Sequence, residues 1–157
     1  MSDLLTPDRV AIRVTGTPIP QGSKTANRYG NGVRDANATR LKPWRAHVTA
    51  HARDAHRYQD KLIGPVRIWL RFAFDRPASH YRTGRNAHLL KNSAPLYPTN
   101  KNDLDKLTRA VLDALTDAGV WGDDGQVVDV RARKFYAGEH ELAPVKAGVD
   151  IVLEECP

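Results

Sequence analysis

Alternation of apolar and polar residues marks four stretches of this chain as strands. PVRIWLRFAFD sets Val66, Ile68, Leu70, Phe72 and Phe74 on one side, with Arg67, Trp69 and Arg71 on the other. A period of two predicts a strand with one buried face. RVAIRVTG repeats the pattern, with Val10, Ile12 and Val14 opposite Ala11 and Arg13. QVVDVRARKFY sets Val128, Val130 and Ala132 against Asp129, Arg131 and Arg133, and AGVDIVLE closes through Val149, Ile151 and Leu153. Two stretches carry the helical period instead. In KPWRAHVTAHARDAHRYQDK, Pro43 suits an early helical position, and Trp44, Val48, Ala52 and Ala55 form the expected buried stripe. From Leu104 to Ala118, apolar residues at 104, 107, 111, 112 and 115 fall three and four apart, and Gly119 supplies a stop.

The order strand, helix, strand, loop, helix, strand, strand predicts a single small α/β (α+β) domain over residues 1–157. The expected core is a mixed four- to five-stranded sheet with two main helices, its last two strands forming an antiparallel pair. TPIPQGSKTANRYGNGVRDANAT, with Pro18, Pro20 and several glycines, reads as a loop. A second loop, residues 75–102, has no convincing period and carries Arg76, Arg82, Arg85, Lys91 and Lys101. Structureless loops of that length are uncommon in a compact domain and are usually functional or mobile. Trp69, outward on its strand, is expected to pack against the first helix or to serve an interface.

Composition narrows the partners. Lys and Arg number 24 against 18 Asp and Glu, a formal net charge of +6. That balance favours polyanions, nucleic acid first. The lone cysteine, Cys156, excludes an internal disulfide and a cysteine zinc site. No apolar run is long enough to span a membrane, and the start MSDLLTPDRV lacks the features of a signal peptide, so a cytoplasmic protein is expected.

Against this basic background stand two acidic groups. NKNDLDKLTRAVLDAL places Asp103 and Asp105 at the start of the second helix, and VWGDDGQVVDV places Asp123 and Asp124 just after it. Each has an ordinary explanation. Asp103 is a candidate N-cap, Asp105 gains from the helix dipole, and Asp123-Asp124-Gly125 suits a turn. Jointly, carboxylates beside a loop of bases are what metal-assisted phosphodiester hydrolysis requires, since Mg²⁺ or Mn²⁺ is held by a few carboxylates together with water and phosphate. Other chemistries fit less well. His47 and His51 stand four apart without the glutamate of a metalloprotease helix and, with His56, read as solvated side chains. Ser23 and Ser79 lack a nucleophile elbow. PIPQGSK is either a simple turn or a phosphate-contacting loop through Lys24.

PTNKNDLDKLTRAVLDAL followed by VWGDDGQVVDVRARKFY resembles the signature of the RusA family of Holliday-junction resolvases, and VTGTPIPQGSK and PWRAHV resemble its N-terminal half. The resemblance runs from about Val10 to Glu154. It implies a Mg²⁺-dependent homodimeric endonuclease that nicks four-way DNA junctions symmetrically. By position it makes Asp103, Asp105 and Asp124 the metal-binding carboxylates and Asp123 an auxiliary acid. One turn beyond the second aspartate the family pattern has a lysine, and this chain has Arg109. Arginine offers a fork in place of a point charge and does not readily release a proton. A helix salt bridge from Arg109 to Asp105 is the plain alternative. Lys24, Arg82, Arg85, Lys91 and Lys101 are the expected DNA contacts. The competing readings are a non-catalytic module that binds branched DNA and a metal-dependent nucleotide phosphohydrolase.

Overall fold

The computed structural model describes residues 9–22, 24–26, 33–35 and 38–157. Its elements are β1 (Val10–Thr15), β2 (Lys24–Ala26), β3 (Val33–Asp35), α1 (Ala38–Ala55), β4 (Val66–Phe74), α2 (Leu104–Asp117), β5 (Val127–Tyr136) and β6 (Gly148–Glu155). Short 3₁₀ turns occupy Ala78–His80, Gly84–Asn86 and Asp124–Gln126. The four-stranded sheet runs β1-β6-β4-β5, and β2 pairs with β3 in a separate small hairpin. This is an α+β domain with two helices and a mixed sheet. The hairpin falls where the glycine- and proline-rich segment predicts only loop, and Ser23 lies outside the described residues.

The expected β5–β6 hairpin does not form. β6 lies antiparallel to both β4 and β1, and β5 lies parallel to β4. The cause is the burial demand of β4. Val66, Ile68, Leu70 and Phe72 are fully buried, which requires a strand on each side of β4 and helices beneath it. Burying each such side chain contributes about 1.5–3 kcal/mol. β5 carries three exposed or half-exposed basic side chains and therefore suits an edge. A register shift between Val66 and Arg67 disturbs the β4–β5 ladder at its start. There Val128 is 65% exposed, so the alternation of β5 does not mark a buried apolar face at that end.

α1 begins five residues before Pro43, earlier than the proline suggests. The helix loses one amide hydrogen bond at residue 43 but gains the burial of Leu41 beside Trp44, Val48 and Ala52. The stripe then passes through Thr49 and reaches His56, leaving Ala55 exposed. His56 is thus buried instead of solvated, whereas His47 and His51 are exposed as expected. α2 matches its sequence pattern: Leu107, Val111, Ala114 and Leu115 are buried, and Gly119 at φ +76° ends the helix. Both helices cover one side of the sheet. Trp69 stands on the other side, away from α1, with the guanidinium groups of Arg9 and Arg67 at 5.4 and 5.9 Å from its ring.

The 75–102 loop carries structure of its own. Tyr81 and Leu90 form a bridge, and the Lys91 amide donates to the His80 carbonyl. Its anchor is Arg76, whose side chain is only 3% exposed. The guanidinium pairs with both oxygens of Glu139, donates to the Pro95 carbonyl at 2.8 Å, and stacks 4.0 Å from the Tyr136 ring. Hydrogen bonding to Glu139 raises the Arg76 pKa, so the charge persists despite burial. Arg76 therefore fixes the loop to the end of β5 and is spent structurally. Replacing it with alanine is expected to lower stability by about 2–4 kcal/mol, because Glu139 and the Pro95 carbonyl lose their partner. Urea denaturation together with limited proteolysis across residues 77–98 measures this; unchanged stability and cleavage would refute the anchoring role.

Candidate functional site

α2 connects two parallel neighbours, β4 and β5, and its ends lie at opposite ends of the sheet. At its start, the Lys134 ammonium from β5 donates to the carbonyls of Lys101 and Asn102 at 3.3 and 3.1 Å. At its far end, the Leu62 amide just before β4 donates to the Val120 carbonyl at 2.9 Å, and Leu62 bridges Trp121. Fourteen helical residues rise about 20 Å between these ends. Asp103 and Asp105 stand at the first end, and Asp123 and Asp124 follow the second.

Asp103 occupies the N-cap position with φ −55° and ψ 132°, yet its side chain makes no capping hydrogen bond. Instead it pairs with Lys106 at 3.2 Å and remains 63% exposed. An ion pair in that setting contributes little. The capping explanation for Asp103 therefore fails, and its carboxylate stays accessible. Asp105 is exposed within the first turn of the helix. Arg109 is exposed as well, and its expected salt bridge to Asp105 is not among the ion pairs of the described residues. Its guanidinium stays available to an incoming anion.

The second group divides the labour between its two acids. Asp123 caps the 3₁₀ turn: its carboxylate accepts from the Gly125 amide at 3.1 Å, and the Gln126 side chain accepts from the amides of Gly122 and Asp123. The Gln126 amide nitrogen also donates to the Leu62 and Gly64 carbonyls at 3.0 and 3.1 Å, tying the turn to the entrance of β4. Sequence reading overlooked Gln126, whose position three residues after an aspartate cap was the available signal. Asp124 has no such structural engagement and is exposed.

Asp113 is the other residue that sequence reading overlooked. It lies eight residues beyond Asp105 on α2, within electrostatic reach of Asp124. Burial raises its carboxyl pKa, and the carboxylates of Asp124 and Asp117 push the same way, while Arg45 and Arg109 oppose them. In donor type, Asp103, Asp105 and Asp124 fit a hard divalent cation. A single chain does not gather them: among the described residues, no three His, Cys, Asp or Glu side chains stand together as a metal cluster.

The expected DNA contacts are dispersed. Arg82, Arg85, Lys91 and Lys101 are all exposed along the 75–102 loop. Arg82 already donates to the Leu90 carbonyl at 3.2 Å and to the Asn92 side chain at 3.4 Å. Lys24 lies in β2, and its side chain falls outside the described residues. No described helix is long and apolar enough to cross a membrane.

The chain thus carries two separated groups of exposed acids, the first of them directly after the loop of exposed bases. The model of the family "Endodeoxyribonuclease RusA" matches residues 15–143, and the chain belongs to that family. The Bacillus subtilis (strain 168) protein called "Uncharacterized protein YqaN" is 28% identical over 132 residues, covering 84% of this chain and 91% of its own. The crossover junction endodeoxyribonuclease RusA of Escherichia coli (strain K12) is 59% identical over 35 residues, 22% of this chain and 29% of its own. The enzyme of that name from Enterobacteria phage 82 matches to the same extent.

The raised pKa of Asp113 has a consequence for stability. A carboxyl whose pKa is higher folded than unfolded binds its proton more tightly in the native state. Its favourable contribution is complete below the unfolded pKa and is lost as pH rises through the folded one. Asp113→Asn is thus expected to stabilise the protein at pH 7 by a few tenths of a kcal/mol, with the gain disappearing in acid. Melting curves from pH 3 to 7 check this; a gain that grows toward low pH would contradict it.

Proposed function

We propose that this protein is a divalent-metal-dependent endodeoxyribonuclease that resolves four-way DNA junctions as a homodimer. The observation that carries the reading is the state of three aspartates. Asp103 does not cap its helix, Asp124 is left free while Asp123 holds the turn, and Asp105 is exposed. Membership of the RusA endodeoxyribonuclease family and the partial match to junction endonucleases support the same reading. Asp103, Asp105 and Asp124 would hold Mg²⁺ or Mn²⁺. When bound, such an ion polarises the scissile phosphate and lowers the pKa of an attacking water. Arg109 would meet a non-bridging phosphate oxygen through its unpaired fork, in the manner of arginine–phosphate pairs. Arg82, Arg85, Lys91 and Lys101 would follow the backbone of a junction arm, and Lys24 would join them from the β2–β3 hairpin.

The homodimer reading has support in the placement of the acids. One chain sets the start of α2 and Asp124 at opposite ends of the crossover. Two copies about a twofold axis can set the helix start of one against Asp124 of the other. A pair of sites related by that axis also suits a substrate that needs two matched nicks.

End-labelled four-way junctions, with and without Mg²⁺, test the activity. Asp105→Asn and Asp124→Asn are each expected to reduce nicking by about 10²–10³-fold, the scale of losing a group that acts on transition-state charge. Junction binding should persist or tighten as repulsion of phosphate falls. Mixing the two inactive variants tests the shared site. Random pairing makes about half of the dimers mixed, each with one intact site, so about a quarter of wild-type single-strand nicking should return. No recovery among confirmed mixed dimers would confine each site to one chain. Tight junction binding by wild type without nicking would favour the non-catalytic branched-DNA module. Hydrolysis of nucleotides alone would favour the phosphohydrolase.

A further inference from the structure

Lys101 and Asn102 have φ values of +68° and +57°, and among the described residues they are the two non-glycine positions with positive φ. Single asparagines visit this left-handed region with help from their short polar side chain, but lysine has no such aid. Two in succession therefore need an outside restraint. Lys134 supplies one. It lies on β5 opposite Phe72 in the ladder, and its ammonium donates to the carbonyls of both left-handed residues, at 3.3 and 3.1 Å. Turning two consecutive carbonyls toward one cation suits left-handed backbone at both residues. The next residue is Asp103, which enters α2 with its carboxylate directed away from the capping amides and toward Lys106.

We propose that Lys134 is a positioning residue for the nuclease site: by binding the Lys101 and Asn102 carbonyls, it holds the left-handed pair that keeps the Asp103 carboxylate off its own helix end and open to the site. The inference rests on the reading of Asp103 as a site carboxylate. A relaxed pair at negative φ would let Asp103 swing into the N-cap geometry that its residue type prefers, where the first-turn amides would occupy its oxygens. Lys134 acts on the carboxylate through the backbone and need not touch DNA. It is also a long-range restraint, since it stands 31 residues beyond Asp103 on a different element.

Lys134→Met keeps the length and apolar stem of the side chain and removes the donors; Lys134→Arg keeps donors and charge. For Lys134→Met, kcat for junction nicking should fall about 10–100-fold, the usual scale for losing a group that orients a metal-site ligand. KM should stay within about twofold, and the salt dependence of junction binding should not change, because no phosphate contact is lost. The backbone carbon shifts of residues 101–103 should leave left-handed values, and Lys134→Arg should restore both shifts and kcat in large part. Unmoved shifts at 101–103 in Lys134→Met would overturn the proposal. So would a salt slope lower by about one with kcat intact, which would mark Lys134 as a direct phosphate contact. If the wild type nicks no junction, the nuclease reading fails, while the carbon shifts and Mn²⁺-induced broadening at Asp103 still decide whether Lys134 sets this carboxylate.

Discussion

The burial of α2 against the sheet is the constraint on which the candidate site depends. Leu107, Val111, Ala114 and Leu115 share one core with the inward side chains of β4, all of them inaccessible to water. Burying Leu107, Val111 and Leu115 contributes about 1.5–3 kcal/mol each, far more than any surface ion pair on the same helix. The helix consequently cannot shift along the sheet to suit its acids. Its rigid length sets the two acidic groups apart, and the crossover from β4 to β5 puts them at opposite ends of the strands. What the site can do is decided by packing on the hidden side of α2.

The exposed side shows how the fold distributes polar work. At both ends of the helix, neighbouring residues relieve an aspartate of structural duty. Asp123 and Gln126 hold the 3₁₀ turn, which leaves Asp124 unengaged. Lys134 holds the chain before the helix, which leaves Asp103 off the cap. Arg76 does the same service for the basic loop: its buried pair with Glu139 fixes the base of the loop, so that Arg85 and Lys91 remain exposed. In each case a polar group with structural hydrogen bonds stands beside one without them. The second member is the one open to a ligand.

Much of the fold was legible because period and burial agree. β1, β4 and α2 have alternation or helical spacing that follows their inaccessible faces, with Ala73 of β4 buried out of phase, and their bounds follow closely. The neighbours of β4 were not legible. Local pattern identifies strands but not their order, and the short link after β5 suggested a hairpin that the burial of β4 on both edges overrules. Pro43 suggests a later start for α1 than the fold has, since Leu41, two residues before it, is helical and buried. The acids were visible as letters, and the family pattern linked them. Their separation was not visible, because it depends on the crossover. Lys134 could not have been identified at all, since its role arises from a contact 32 and 33 residues back along the chain.

Arg109 changes meaning once these positions are known. The sequence presents it as a helix-stabilising partner for Asp105, four residues earlier, a pair worth a few tenths of a kcal/mol at most. The folded chain forms no such pair, and the charge of Arg109 instead bears on Asp113, one turn further along. Asp105, Arg109 and Asp113 thus follow one another along one strip of α2, exposed at the first two and half-buried at Asp113. A guanidinium there partly offsets the repulsion that aspartates exert on a phosphate backbone. Being planar and permanently charged, it can grip two phosphate oxygens without giving up a proton. Arginine in place of the lysine of the family pattern therefore preserves charge compensation along the helix and, unlike lysine, does not readily release a proton.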